Sequence, residues 1–131
     1  MPRQELSFPT SENRDDVLAR RALEFTRKNG GITIRLDGDI PERGYAVALP
    51  KIPEKRISLD KVTEQDFEAF IDEHFEELSR ENAYVGAWID DSELILDVAH
   101  VVEKKDEALA LGRVAEQQAI FNLNQFEEIR L

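Results

Sequence analysis

Apolar residues recur along this 131-residue chain at two different periods, and each change of period marks the boundary of a predicted element. Residues 12–29, ENRDDVLARRALEFTRKN, put Val17, Leu18, Ala22 and Phe25 on one face of a helix. Thr10 or Ser11 can cap it, Asp15 and Asp16 lie near its start, Arg27 and Lys28 near its end, and Gly30-Gly31 stops it. ITIRL (32–36) is β-branched and alternating, which predicts a strand, and Asp37-Gly38-Asp39 predicts a turn. GYAVAL (44–49) and RISL (56–59) predict further strands on either side of a loop bracketed by Pro50 and Pro53.

In residues 63–81, TEQDFEAFIDEHFEELSRE, the helical period returns. Phe67, Phe70, Ile71, Phe75 and Leu78 recur three or four apart, with Thr63 as cap and Asp66 in the capping-box position. AYVGAWI (83–89) and ELILDV (93–98) predict a hairpin around Asp90-Asp91-Ser92, with Val101 and Val102 extending its second strand. KKDEALALGRVAEQQ (104–118) predicts a helix burying Ala108, Leu111, Val114 and Ala115. IFNL (120–123) and FEEIRL (126–131) predict a closing hairpin around Asn124-Gln125. The expected architecture is a flexible N-terminal tail (1–10) and a single α+β domain (11–131). Its sheet is mainly antiparallel and twisted, of about five or six strands with two or three packed helices.

Composition leaves that picture standing and removes functions from it. Hydrophobic residues make up 41% of the chain, enough for a packed core. The absence of cysteine excludes disulfides, thiolate zinc sites and cysteine nucleophiles, and fits a cytoplasmic protein. Only two histidines, His74 and His100, are present, too few for a histidine-built metal centre, and both read as core residues. Neither phosphate-binding glycine motif nor a Gly-x-Ser-x-Gly elbow occurs, so no cofactor, metal or catalytic nucleophile is expected. No apolar run approaches the ~18 residues that would span a membrane.

Charge changes the picture most. The net charge is −11, yet residues 1–62 hold 12 Lys/Arg against 10 Asp/Glu, and residues 63–131 hold 5 against 18. Phosphate binding depends on Lys and Arg, so nucleic acid is not an expected direct ligand, and a basic protein surface is the expected partner. Eight of the nineteen residues of 63–81 are Asp or Glu, with Arg80 the only basic side chain. At ~100° per residue Glu68, Asp72 and Glu76 form one row, with Asp66, Glu73 and Glu77 on the other side of the polar face. Neighbours in such a row repel by a few tenths of a kcal/mol each, and their ~6 Å spacing imitates successive phosphates. Glu68, Asp72, Glu73, Glu76 and Glu77 are therefore the candidate partner-binding residues, and Glu93, Glu103, Asp106 and Glu107 are candidates to extend them. Asp97, alternating with apolar neighbours, forms a candidate hydrolytic set with His100 and Arg113, should a cleft bring them together. Arg113 with Gln117 and Gln118 could line a polar pocket.

From Tyr84 onward the chain carries a Gly-x-Trp hairpin (Gly86, Trp88) and a Leu-Asp-Val strand (Leu96, Asp97, Val98). A helix follows with Glu107, Ala108, Leu111, Gly112 and Arg113, leading to Gln118, Ala119, Ile120 and Phe121. This order resembles small proteins of bacteriophages and mobile elements, particularly those of actinobacteria. The Asp usual after the Ile-Phe pair is Asn122 here, and no catalytic residue carries over. The resemblance implies a gene of a phage or mobile element acting inside a bacterial cell. The expected function is a non-enzymatic acidic interaction protein, an inhibitor whose helix face occupies a basic nucleic-acid-binding surface of a host defence protein. Two alternatives stay open. One is an accessory or assembly module docking a partner, or a second copy, through an apolar face around Tyr84, Trp88 and Phe121. The other is a small hydrolase using Asp97 or His100.

Overall fold

The computed structural model describes residues 4–5, 14–117 and 119–131. Of the expected tail, Gln4–Glu5 form β1; the proposed caps Thr10 and Ser11, and Gln118, lie outside the described residues. Helix α1, Arg14–Asn29, buries Val17, Leu18 and Ala22 as its period requires. It ends at Gly30, whose φ of 89° suits a residue without Cβ and whose N–H donates to Thr26 O at 2.7 Å.

Strands β2 (Gly31–Ile34), β3 (Asp39–Ile40), β4 (Tyr45–Ala48), β5 (Lys55–Ser58), β6 (Ala83–Asp90), β7 (Glu93–Val102), β8 (Ala119–Asn122) and β9 (Glu127–Arg130) follow. All the pairings among them are antiparallel: β1 joins β3, and the rest form a seven-stranded sheet in the order β2-β6-β7-β4-β8-β9, with β5 also on β7. Alternation gives the sheet two unlike faces. Ile32, Ile34, Val85, Ala87, Leu94, Leu96 and Val98 point to the face covered by α1 and make the main core. Thr33, Gly86, Trp88, Asp97 and Ala99 point the other way, and on that side the sheet curls. Phe25 beside β2 and Phe126 beside β9, which belong to opposite ends of the strand order, come to 6.4 Å between ring centroids. Phe126 in turn lies 5.0 Å from Phe121.

Two helices depart from the expected pattern. The acidic stretch starts as expected, the Thr63 N–H donating to Asp66 Oδ2 at 2.8 Å, but forms α2 (Glu64–Glu73) and α3 (Phe75–Leu78) with a break at His74 (φ −111°, ψ 22°). The regular angular advance is lost there. Phe67, Phe70, Ile71 and Leu78 remain buried, His74 packs its ring 4.6 Å from that of Phe70, and Phe75 is turned out, 51% exposed. Helix α4, Lys105–Val114, buries Ala108 as expected but pairs it with Gly112, leaving Leu111 45% and Val114 84% exposed. A Cβ at Gly112 would lie 2.9 Å from Ile120 Cγ2 and 2.6 Å from Leu131 Cδ1. The smooth side of the helix, not its Leu–Val ridge, therefore meets the sheet. No helix among the described residues is long and apolar enough to cross a membrane.

Candidate functional site

The five carboxylates singled out on the acidic stretch divide between two helices. Glu68 and Asp72 ride on α2, Glu73 on its last residue, and Glu76 and Glu77 on α3. Asp72, Glu73 and Glu76 are exposed, whereas Glu68 and Glu77 are partly covered. None of the ion pairs among the described residues joins a Lys or Arg to any of the five; His74 Nε2 stands 4.0 Å from Glu73 Oε2. The residues expected to extend the stripe do not form one row with it. Glu93 pairs with Arg56 at 3.4 Å at one end of the ten-residue β7, and Glu103 lies past the other end, ~33 Å away at strand rise. Asp106 and Glu107 occupy the first turn of α4, where they complement its dipole.

Asp97, His100 and Arg113 do not converge. Asp97 and His100 are three apart on one strand, so they face opposite sides of the sheet, and Arg113 is exposed on α4. Among the described residues no three His, Asp or Glu side chains are placed to hold a metal ion.

Asp97 instead stands in the floor of a cleft on the inner face of the curled sheet, with a volume of about 730 Å³. A change of partner along β7 creates it. Strand β5 pairs with residues 93–96 and β4 with 99–102, so six residues, 49–54, stand opposite Asp97 and Val98 alone. The surplus, stiffened by Pro50 and Pro53, arches away as one lip, anchored by the Leu49 N–H donating to Val98 O at 2.8 Å. Glu127 and Glu128 of β9, with Phe126 of the preceding turn, belong to the opposite lip. The hairpin carrying them is tied down through Asn122, whose Oδ1 accepts the Asn124 N–H at 3.0 Å, and through the Leu123 N–H donating to Gly44 O at 2.9 Å.

The floor is lined by small residues: Gly31, Thr33, Gly86, Ala46, Ala48 and Ala99. Gly86 is directly opposite Asp97, and a Cβ there would overlap Asp97 Oδ1 and lie 3.0 Å from its Cγ. The carboxyl therefore lies across β6 in the space a side chain would fill. Trp88, two residues on and on the same face, is its diagonal neighbour and donates its indole N–H to the carboxylate. Burial pushes the Asp97 carboxyl up to about 6; the Trp88 bond works against that rise, and the charge of Glu54 adds to it. A carboxylic acid poised there can accept a proton or a cation.

Of the residues read as an apolar docking face, Trp88 and Phe121 line this cleft, while Tyr84 is buried beneath the Arg35 guanidinium, 5.6 Å from its ring centre. Gln117 lines the cleft and Arg113 does not. Glu54, Glu116, Glu127 and Glu128, which charge the mouth, belong to loops and to an edge strand far apart in the chain, and sequence reading passed them over. Gly86 carried a readable signal: a two-residue turn at Asp91-Ser92 sets it against Asp97. Comparison with protein-family models, curated proteins and solved structures finds no match to this chain, so the chemistry of the cleft itself carries the functional argument.

Proposed function

We propose that this chain is a non-enzymatic ligand-binding protein and that the concave cleft is its working surface. The observation that carries this reading is the row of glycine and alanine along the inner sheet face, ending at a carboxyl held in a poorly solvated place. Stability alone favours filling such a hollow with larger side chains, since interiors are otherwise close-packed. It also disfavours a buried acid without a cation. A concave, mostly apolar site with a few convergent polar groups is the usual form of a small-molecule pocket. The test is a fragment screen by ligand-observed NMR against the natural chain and against Ala48→Leu, which narrows the cleft. Hits that the substitution weakens at least tenfold support the reading; hits indifferent to it overturn it.

A second reading rests on a different observation, the solvent-facing carboxylates around the outward-turned Phe75. In it Glu68, Asp72, Glu73, Glu76 and Glu77 engage a basic surface, as an inhibitor from a phage or mobile element would engage a nucleic-acid-binding host protein. Steering by such a surface is fast at low salt and weakens as salt rises. Pull-down from bacterial lysate at low and high salt tests it. One basic partner, lost at high salt and lost with Asp72→Asn/Glu73→Gln/Glu76→Gln, supports it; affinity retained by that triple variant sinks it.

A further inference from the structure

We propose that the cleft takes an organic cation, a protonated amine on an aryl-bearing apolar body, with the ammonium at Asp97 and the body against Trp88 and Phe121. This deepens the cleft reading and rests on it. Charge is the first argument. The described residues lining the cleft include five carboxylates, Asp97, Glu54, Glu116, Glu127 and Glu128, and no Lys, Arg or His. Arg56 and Arg130 pair with Glu54 and Glu128 at 3.2 and 2.6 Å, but neither arginine lines the cleft. An anion entering would meet like charge at the mouth and again at the floor. A neutral apolar molecule would leave the Asp97 carboxyl without the counter-charge its burial calls for.

Placement is the second argument. Asp97 projects over Gly86 with Oδ1 foremost, and the single donor of Trp88 leaves its carboxylate with further lone pairs to satisfy. An ammonium offers up to three N–H groups there, in a site where charge-assisted hydrogen bonds are at their strongest. Around it the lining turns apolar. The indole of Trp88, the ring of Phe121, Ala48 and Ala99 of the floor and the prolines of the lip line a slot for a flat or aliphatic body, and aromatic faces themselves attract cations. The volume suits a ligand of drug size rather than a bare metal ion or free ammonium.

Titration gives the reading a distinct signature. The groups that act on Asp97 are the Trp88 donor and the acid Glu54, and the other charged residues lining the cleft are Glu116, Glu127 and Glu128, so among the described lining residues no positive charge offsets its burial. A bound ammonium supplies that charge and holds the carboxyl ionised. Below pH 6 the ligand must compete with a proton, and binding weakens roughly tenfold between pH 7.5 and pH 5.

The experiment titrates three probes of one shape, 4-phenylbutylamine, 4-phenylbutan-1-ol and 4-phenylbutyrate, into the natural chain and into Asp97→Asn. Binding is read by calorimetry and by the fluorescence of Trp88, the only tryptophan. The expected order at pH 7.5 is amine, then alcohol, with the acid weakest. The amine should lose about tenfold at pH 5 while the alcohol does not. Asp97→Asn, which keeps the shape and an acceptor for Trp88, should erase both the preference and the pH dependence. Glu127→Gln, at the lip and away from the core, should weaken the amine only a few-fold. Equal binding of amine and alcohol, or a preference for the acid, overturns the cation assignment and leaves the cleft reading standing. Saturation by none of the three, together with fragment hits indifferent to Ala48→Leu, overturns both.

Discussion

The inner face of the sheet and the outer face of α2–α3 are both acidic, and they achieve it in opposite ways. On α2–α3 the carboxylates are numerous, and Asp72, Glu73 and Glu76 stand in solvent, where water stabilises their charge. In the cleft one carboxyl, Asp97, is fitted over a glycine, given one indole donor and held up at about 6 by burial. Density of charge distinguishes the first region, and construction the second. A solvated acid can be added or removed with little consequence for its neighbours. A buried one needs a missing side chain opposite it and a donor beside it, and such dependencies mark a site more sharply than a count of charges.

The largest test of that contrast is Gly86→Val. Two branched methyls would occupy the volume of the Asp97 carboxyl in the floor of the cleft, and a loss of about 2–3 kcal/mol is expected in urea denaturation. In an Asp97→Ala background the same substitution should cost much less, because the colliding group is gone and a β-branched residue suits a strand. Additive effects in the double variant would break the claim that these two residues form one unit.

Asp97→Asn comes next, and its effect has a sign that depends on pH. In the folded chain the carboxyl titrates at about 6, against 3.8 for the ordinary group, so folding favours its protonated form. The natural chain therefore loses stability as pH rises from about 4 to 6 and keeps that loss above 6. Asparagine, neutral throughout, should match aspartate near pH 4 and exceed it by up to about 3 kcal/mol at pH 8. A difference that stays flat across this range would mean that burial does not act on Asp97 as described.

Much of the fold was legible in the pattern: the α+β class, the capped start of the acidic helix, both hairpins and the extension of β7 through Val102. Three departures have physical causes that a period cannot express. The break at His74 depends on a ring packed against Phe70 and sends Phe75 outward against its spacing. Helix α4 chose Gly112 over Leu111 and Val114 because backbone approach, invisible in a hydrophobicity pattern, decided its face. The cleft itself was half legible. In the sequence Trp88 and Phe121 point to an apolar docking face and Asp97 to a hydrolytic set, and nothing in the pattern joins the three. A three-residue turn at 90–92 hides that Gly86 faces Asp97; the two-residue turn observed reveals it. Curling, which joins β9 to the rim near α1, is a property of the whole sheet.

That curling can be loosened without touching the floor. Phe126→Ala removes the ring that links Phe25 to Phe121, and a loss of about 1–2 kcal/mol is expected from half-buried area and two edge-on contacts. Trp88 should then be quenched more readily by acrylamide, because the lip above it no longer rests on α1. Unchanged quenching would mean that the lip is held by the Asn122–Asn124 turn and its bonds to Gly44 alone.

The smallest effect belongs to the outer face. In Asp72→Asn/Glu73→Gln/Glu76→Gln, the repulsion of Glu68 by Asp72, four apart on α2, is relieved and charge is thinned on either side of the break at His74, so the chain should gain a few tenths of a kcal/mol at low ionic strength. The gain should vanish in 1 M salt, where the Debye length falls to ~3 Å. Asp97→Asn should keep most of its advantage in the same salt, since a half-buried carboxyl in the floor of a cleft is screened less than one in open solvent. A triple variant that loses stability would show those carboxylates to be held by contacts of their own, and the two acidic regions would then be alike rather than opposite. Salt response separates them more sharply than stability alone.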